Sequence, residues 1–237
     1  MTTLSICPRL TAIWPDLFVT GLVVEDADRM DPSGADVALN RGIQSARERL
    51  APLETLSQEP ALAQWREAYG RAGVKPSKFR SSIESLAKRA LGDGLRPISP
   101  LVDVYNGCSL QALAPLGAID LDRLDGDTVE LRLCRPATDR FLPLGGEPEA
   151  FPLSDTLPVY ATGDTILCWG FNVRDSRATA IDDASRRILF LTEGVSTLHQ
   201  THAGLVINLL QAALTAGGVR AVGLVQAGRR PDLNLPV

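Results

Sequence analysis

The stretch around which the chain is organised reads Arg96-Pro97-Ile98-Ser99-Pro100-Leu101-Val102-Asp103-Val104-Tyr105-Asn106-Gly107-Cys108-Ser109-Leu110. Within it, the polar residues Asp103, Tyr105 and Asn106 interrupt an apolar run. Prolines lead into this run, and a Pro115-Leu116-Gly117 turn leads out of it. Buried polar groups need hydrogen-bonding partners, so the stretch indicates a functional site or a polar network rather than plain core.

Length and composition narrow the class of protein. The chain has 237 residues, of which 45% are hydrophobic, and can bury a large core. We therefore expect one compact domain over residues 1–237. The formal charge of -4 argues against a protein that coats nucleic acid indiscriminately, and we expect no DNA partner. No targeting signal and no run of 18 apolar residues is present, which predicts a cytoplasmic protein without a membrane partner.

The hydrophobic pattern predicts an α+β fold with a mixed β-sheet core flanked by helices. Helices are predicted at about 37–50, 59–70, 76–90, 99–114 and 200–216. Strands are predicted at 17–25, 129–133, 158–162, 164–169 and 187–192, and a buried strand at 219–225. The pair around Gly163-Asp164 is expected to form a hairpin. Residues 136–158 carry five prolines and are expected to form a pinned loop, and residues 228–237 a polar tail.

The segment from Arg71 to Arg96 is unusually basic. It holds seven basic residues and two acidic ones, Glu84 and Asp93, a local balance of +5, so the remainder of the chain sums to -9. This pattern has two interpretations. It is either a solvated helix face or a strip on which lysines and arginines bind the phosphates of a polyanion.

Other candidate motifs point away from common enzyme classes. His199 and His202 are spaced i, i+3, but two ligands without a third make a poor metal site, so capping or surface roles are favoured. No P-loop, Gly-x-Ser-x-Gly or Gly-x-Gly-x-x-Gly motif occurs, and no metal or cofactor is expected. The four cysteines are far apart, which does not indicate a zinc ribbon or a disulfide framework, and Cys108 is expected to be a packed thiol.

A second polar cluster lies at 168–176, Cys168-Trp169-Gly170-Phe171-Asn172-Val173-Arg174-Asp175-Ser176. It follows a predicted strand and combines an aromatic pair, an amide and two opposite charges. One interpretation is a hairpin end with a surface ion pair. The other is a pocket wall in which the aromatic residues shape a cavity and Asp175 recognises a hydrogen-bond donor.

Four separated motifs occur in one order along the chain: Arg80-Ser81-Ser82, Leu101–Asn106, Pro115–Leu121 and Gly170–Ser176. In order and spacing they resemble the B3/B4 editing domain of phenylalanyl-tRNA synthetase beta chains. The resemblance runs from about residue 62 to about residue 225, with residues 1–60 as an amino-terminal strand and helix extension. It implies the α+β fold of that domain. It also implies a freestanding aminoacyl-tRNA hydrolase, which edits in trans by cleaving the ester of a mischarged tRNA.

Two departures from the family pattern bear on specificity. Gly117 stands where the synthetase domain has a histidine, and Asp175 stands where that domain has a glutamate that reads a tyrosine hydroxyl. Both changes shrink side chains and should enlarge the pocket, so tyrosine specificity is not carried over. A larger cavity that ends in a carboxylate suits a polar or arginine-like amino acid, because charge-assisted hydrogen bonds reject analogues that lack the donor.

The resemblance and the residue chemistry together predict three groups of site residues. The ester and a water are expected to be positioned by Asn106, Tyr105 and backbone amides around Gly117. The amino acid is expected to contact Asp175, Asn172, Arg174, Phe171 and Asp103. The acceptor end of the tRNA partner is expected to contact Lys75, Lys78, Arg80 and Ser82.

Two further functions remain compatible with the sequence. A non-catalytic module would bind tRNA or a free amino acid without turnover, and a small-molecule hydrolase would not use the basic strip. The sequence does not determine the oligomeric state, and a monomer is compatible with it.

Overall fold

The computed structural model describes residues 2–92, 94–227 and 233–234. The helices are α1 (Pro8–Ile13), α2 (Ala35–Leu50), α3 (Pro60–Arg71), α4 (Ser82–Leu91), α5 (Pro100–Ala112) and α6 (Thr197–Ala216). The strands are β1 (Thr3–Ile6), β2 (Phe18–Glu25), β3 (Gly117–Asp120), β4 (Thr128–Leu133), β5 (Arg140–Phe141), β6 (Pro158–Thr162), β7 (Thr165–Trp169), β8 (Arg174–Asp175), β9 (Ile188–Gly194), β10 (Arg220–Ala227) and β11 (Leu233–Asn234).

The strands form two sheets. In the larger one the order is β11-β1-β4-β6-β7-β5, with β8 paired to β7, and it is mixed because β1 runs parallel to β4 and β5 parallel to β7. The smaller sheet, β10-β2-β9-β3, is antiparallel throughout. The predicted α+β class is confirmed, as is the hairpin of β6 and β7 around Gly163-Asp164.

The smaller sheet separates two hydrophobic cores. Successive side chains of a strand point to opposite faces, so β9 sends Leu189 and Leu191 into one core and Ile188 and Phe190 into the other. The first core also takes in the larger sheet and residues of α1 to α4, and the second contains residues of α5 and α6. The strand is therefore apolar on both faces, as its sequence indicates.

Helix α5 is fixed by a close approach to α2. A Cβ on Gly107 would overlap the backbone of Ala38, and a Cβ on Gly42 would overlap the backbone of Gly107. Only glycines allow the two helix backbones to come this close. The contact sets the position of Tyr105 and Asn106, which precede Gly107 on α5.

Three predictions about individual segments differ from the structure. Helix α4 begins at Ser82, six residues after Pro76, because the Ser81 Oγ accepts a hydrogen bond from the Glu84 N–H and caps the helix there. The final strand was predicted to be buried, which is wrong: β10 is an edge strand, and Leu224 is 59% exposed. Of the predicted tail, Leu233–Asn234 pair with β1, and residues 228–232 and 235–237 lie outside the described residues.

The predicted loop at 136–158 is largely irregular. It contains the short strand β5 and a 3₁₀ turn at Pro148–Ala150. Phe141 and Phe151 are buried with their ring centroids 5.5 Å apart, and this contact pins the loop to the first core. Among the residues described, none of the helices is both long enough and apolar enough to cross a bilayer.

Gly107→Ala is expected to destabilise the fold by about 1–3 kcal/mol, because the added methyl group must push α2 and α5 apart. Denaturant unfolding followed by circular dichroism measures this change. The control is Gly204→Ala in α6, where no atom lies within 4 Å of the added Cβ. That substitution should be neutral or stabilise by up to about 1 kcal/mol, since alanine favours helix over glycine. Equal effects at both positions would contradict the proposed helix contact.

Candidate functional site

A cavity of about 470 Å³ opens between α4, α5 and the turn that joins β7 to β8. We call it the outer cavity. Helix α4 contributes Ser82, Ser85, Lys88 and Arg89 to its wall, and α5 contributes Val102, Tyr105, Asn106 and Ser109. The turn contributes the run from Asn172 to Asp175. The two polar clusters of the sequence, separated by more than 60 residues, therefore meet at one site.

A smaller cavity of about 30 Å³ adjoins the outer one, and we call it the inner chamber. The two spaces share Ser82, Leu116, Asn172 and Asp175 as lining residues. The chamber adds a set of residues from the two sheets: Gly117, Ala118, Ile119, Tyr160, Cys168, Phe171, Leu191 and Glu193. Its volume has room for about two water molecules, so it can accept only the tip of a ligand.

Two residues in left-handed backbone conformation shape the turn between β7 and β8. Gly170 has φ +66°, and Phe171 has φ +59°, which is unfavourable for a residue with a side chain. The Phe171 ring is fully buried and lies edge-on to Trp14 and Trp65, at centroid distances of 5.3 and 5.6 Å. This aromatic packing offsets a backbone cost of about 1–3 kcal/mol.

Asn172 follows directly and connects three elements through one amide group. Its Oδ1 accepts hydrogen bonds from the Tyr69 hydroxyl at 2.9 Å and from the Ser82 N–H at 3.2 Å. Its Nδ2 donates to Glu193 Oε1 at 2.5 Å. Because these hydrogen bonds use both ends of the amide, Asn172 organises the site as well as lining it.

Glu193 is the functional candidate that the sequence reasoning missed. It is 3% exposed and lines the inner chamber, and its Oε2 accepts a hydrogen bond from the Tyr160 hydroxyl at 2.8 Å. Burial, followed by the nearby charge of Asp175, raises the pKa of Glu193 to about 7, although its hydrogen bonds to Asn172 and Tyr160 oppose the shift. The signal available in the sequence for this site residue was a single acidic residue directly after the largely apolar run 188–192.

Asp175 lies across the chamber from Gly117. A Cβ built on Gly117 would be 3.8 Å from Asp175 Oδ1, so the missing side chain leaves open the space in front of this carboxylate. Burial raises the pKa of Asp175, against smaller lowering effects from Cys168 and Arg174. Burial also raises the pKa of the Cys168 thiol well above its usual value, so this thiol is protonated at neutral pH.

Tyr105 and Asn106 both line the outer cavity and are partly exposed. The Tyr105 ring lies edge-on to Phe190 at a centroid distance of 5.9 Å. Burial, with added repulsion from Asp175 and Asp103, raises the pKa of Tyr105, so its hydroxyl keeps its proton at neutral pH. The Oγ of Ser82, which lies between the two cavities, is buried with no hydrogen-bond partner among the residues described.

Two other predicted substrate residues occupy different surroundings. Asp103 is buried outside the linings of both cavities, and its Oδ1 accepts a hydrogen bond from the Ile98 N–H at 3.0 Å, which braces the start of α5. Arg174 is exposed at the outer cavity, where its Nη1 donates to the Leu144 carbonyl at 3.2 Å.

Four cations line the outer cavity: Arg80, Lys88, Arg89 and Arg174. Arg80 is partly neutralised by Glu84 at 3.4 Å. Lys75 and Lys78 are exposed but line neither cavity. The structure therefore brings three of the seven basic residues of the strip to the site, namely Arg80, Lys88 and Arg89. The predicted Lys75 and Lys78 are not among them.

The histidines are interior residues, so the predicted surface role is wrong. His199 is 3% exposed; its Nε2 lies 2.9 Å from the Ala61 carbonyl, and its Nδ1 accepts from the Val195 N–H. The Nδ1 of His202 lies 3.2 Å from the Leu113 carbonyl. Burial lowers the pKa of both rings.

In the part of the chain that the structure describes, no three His, Cys, Asp or Glu residues form a metal-binding group. Cys108 is a buried free thiol, as predicted.

The B3/4 domain family matches this sequence over residues 64–213, which is more than half of the chain. The protein belongs to the B3/4 domain family. The matched range contains all the lining residues of both cavities, including Asn106, Gly117, Asp175 and Glu193. The family resemblance predicted from the four sequence motifs is thereby confirmed.

Relatives of this B3/4 protein include the phenylalanine–tRNA ligase beta subunits of two bacteria. The subunit of Streptococcus pneumoniae is 30% identical over 108 residues, 46% of this chain and 13% of the subunit. The subunit of Oleidesulfovibrio alaskensis is 35% identical over 95 residues, 40% of this chain and 11% of the subunit. The matched segments thus span about an eighth of these relatives. A crystal structure of an N-terminal fragment of the Pyrococcus horikoshii phenylalanyl-tRNA synthetase beta subunit aligns with 95% of this chain and 50% of the fragment, at 12% identity and a TM-score of 0.49.

Glu193→Gln is expected to change how stability depends on pH. The raised pKa means that the folded protein binds a proton between pH 4.5 and about 7 that the unfolded chain does not bind. The wild type should therefore lose on the order of 3 kcal/mol of unfolding free energy from this group as pH rises through that window. Glutamine cannot titrate, so urea unfolding at pH 5 and pH 8 should favour the variant more at pH 8. Exposed Glu149→Gln is the control, and a pH-independent difference for Glu193→Gln would contradict the assignment.

Proposed function

We propose that this B3/4 protein is an aminoacyl-tRNA deacylase that acts in trans on mischarged tRNA. The observation that carries the proposal is the pairing of a cation-lined outer cavity with a small chamber that ends in carboxylates. An aminoacyl-tRNA end has the matching polarity, with phosphates on one side of the ester and an amino acid on the other. The similarity of the chain to segments of phenylalanine–tRNA ligase beta subunits supports a substrate of this class.

In this proposal the RNA end lies against the cations of the outer cavity. Arg80, Lys88, Arg89 and Arg174 would contact phosphates and set the orientation of the acceptor end without reading its sequence. Lys75 and Lys78 would extend the same contact outward along the RNA. The Ser82 hydroxyl, which has no hydrogen-bond partner among the described residues, would bind the substrate where the RNA is joined to the amino acid.

The ester would lie beside Asn106 and Tyr105. A water molecule adds to the ester carbonyl carbon, the bond from that carbon to the ribose oxygen breaks, and the proton lost by the water ends on the ribose oxygen. The Asn106 amide, the Tyr105 hydroxyl and backbone amides around Gly117 would donate to the water and to the developing oxyanion. No covalent nucleophile is needed, because an aminoacyl ester is already labile and can be cleaved by a well-positioned water.

The amino acid would point toward the inner chamber. With Gly117 opposite Asp175, the space accepts a longer side chain that ends in a hydrogen-bond donor, such as a polar or arginine-like non-cognate amino acid. Asn172 would hold the chamber wall, and Phe171 would support that wall from the first core.

The purified protein, in catalytic amount, is expected to release labelled amino acid selectively from one mischarged species in a panel of charged tRNAs. Asn106→Ala should lower the rate about 100-fold by removing a donor to the ester or the oxyanion. Asn40→Ala, on an exposed position of α2, is the matched control and should be without effect. Binding of the tRNA panel without release from any member would instead establish a non-catalytic binding module.

Lys88→Glu/Arg89→Glu is expected to weaken tRNA binding more than tenfold and to reduce the slope of log affinity against log salt by about two or more, because two phosphate contacts are lost. Filter binding across salt concentrations measures both quantities. Lys75→Glu/Lys78→Glu tests how far the RNA contact extends. Arg41→Glu is an exposed control that lines neither cavity. An unchanged affinity and slope for the Lys88 and Arg89 variant would refute the role of the outer cavity in RNA binding.

A further inference from the structure

Two acidic side chains line the inner chamber, whose lining contains no lysine or arginine. Glu193 on β9 and Asp175 on β8 both face this space. Across the described ranges, neither carboxylate lies within 4 Å of a lysine, arginine or histidine nitrogen, whereas the buried Asp139 pairs with Arg132 at 2.8 Å. Burying two acids beside each other is unfavourable unless a positive charge or a proton compensates for them.

The hydrogen bonds of Glu193 leave it open to a ligand. Each carboxylate oxygen accepts one bond from a neutral donor, Tyr160 for Oε2 and Asn172 for Oε1. A carboxylate has about four acceptor positions, so about half of them are unused. The chamber of about 30 Å³ lies in front of the group and has room for a compact ligand tip.

We propose that Glu193 and Asp175 together form a two-carboxylate receptor for the cationic end of the amino-acid side chain, and that Glu193 releases a proton when this cation binds. This inference rests on the proposed function, because it takes the amino acid to enter from the outer cavity. The side-chain end is the part of the substrate farthest from the RNA phosphates, and the chamber opens off the outer cavity, whose lining holds the cations. The α-ammonium group stays next to the ester and does not reach the chamber.

The proton release follows from the surroundings of Glu193. The titratable groups that face it are Tyr160 from β6, Cys168 from β7 and Asp175 from β8, with Tyr69 of α3 linked through Asn172. His199 on α6 uses both ring nitrogens on backbone groups of Val195 and Ala61. Burial raises the pKa of Tyr160, Cys168 and Tyr69, so they remain neutral near pH 7, and Glu193 is the group that loses its proton there.

Calorimetric titration of the full chain with L-lysinamide, L-argininamide and L-norleucinamide tests the receptor. The α-amine is common to all three probes, so its effect cancels in the ratio of affinities. At pH 8 at least one cationic amide should bind more than tenfold tighter than norleucinamide, and the ratio should fall toward pH 6 as Glu193 becomes protonated. Titrations in two buffers of different ionisation enthalpy should show net proton release at pH 6 for the cationic probe.

Variants separate the receptor from a structural role of Glu193. Glu193→Gln resembles the protonated side chain, and should reduce the preference for the cationic amide at least tenfold and abolish its pH dependence. Asp175→Asn should reduce the preference but keep a pH dependence, and the exposed Glu149→Gln should change neither quantity. Equal binding of all three amides by the wild type would overturn the receptor even if a variant failed to fold, as would an unchanged preference in a folded Glu193→Gln variant. The amide measurements do not use tRNA, so failure of deacylation and failure of the receptor are distinguishable.

Discussion

The site depends on the hydrogen bonds of the Asn172 side chain. One amide joins the Tyr69 hydroxyl on α3, the first N–H of α4 and the Glu193 carboxylate on β9. Glu193 in turn binds Tyr160 on β6. Aspartate, which has the same shape, could accept from the hydroxyl but could not donate to the Glu193 carboxylate when ionised, and an unsatisfied buried partner would cost about 1–3 kcal/mol. The left-handed backbone at Gly170 and Phe171 precedes Asn172 and sets the course of this turn.

A second constraint fixes the wall of the outer cavity that α5 forms. The glycine contact between α2 and α5 places Tyr105 and Asn106 by backbone packing, which leaves little freedom for adjustment. Of the cations at the outer cavity, Lys88 and Arg89 are exposed side chains of α4, Arg80 precedes that helix, and Arg174 begins β8. The site therefore combines an interior wall fixed by close backbone packing with a charged margin that is largely exposed to solvent.

Much of this architecture could be predicted from local patterns. The apolar pattern predicted α2, α3, α5, α6 and the strands β2, β4, β6, β7 and β9 to within a few residues, because each has an extensive buried face. The two-residue strands β5 and β8 were not predicted, since they are too short to show a period. The start of α4 was misplaced because Pro76 and Ser77 resemble a helix start, whereas the capping bond of Ser81 decides the true one. Exposure of β10 follows from its position at the sheet edge, which periodicity does not reveal.

Part of the site was also predictable from local sequence patterns. Asn106, Gly117 and Asp175 belong to motifs that stand out locally, and the structure brings them to adjoining cavities. Glu193 did not stand out, since a single acidic residue at the end of a strand is most often exposed. Glu193 is buried because β9 pairs with β2 and β3 and because Asn172, in the turn between β7 and β8, packs against it. Neither contact can be read from the local sequence.

The wide separation of these groups along the chain has a consequence for folding. Tyr69 and Asn172 are 103 residues apart, and Glu193 follows Tyr160 by 33. Contacts between such distant segments form only after the intervening loops have closed, which is an entropically slow process. The chamber therefore cannot form from local structure alone, and a nascent or partly unfolded chain, however much helix it contains, has no such pocket.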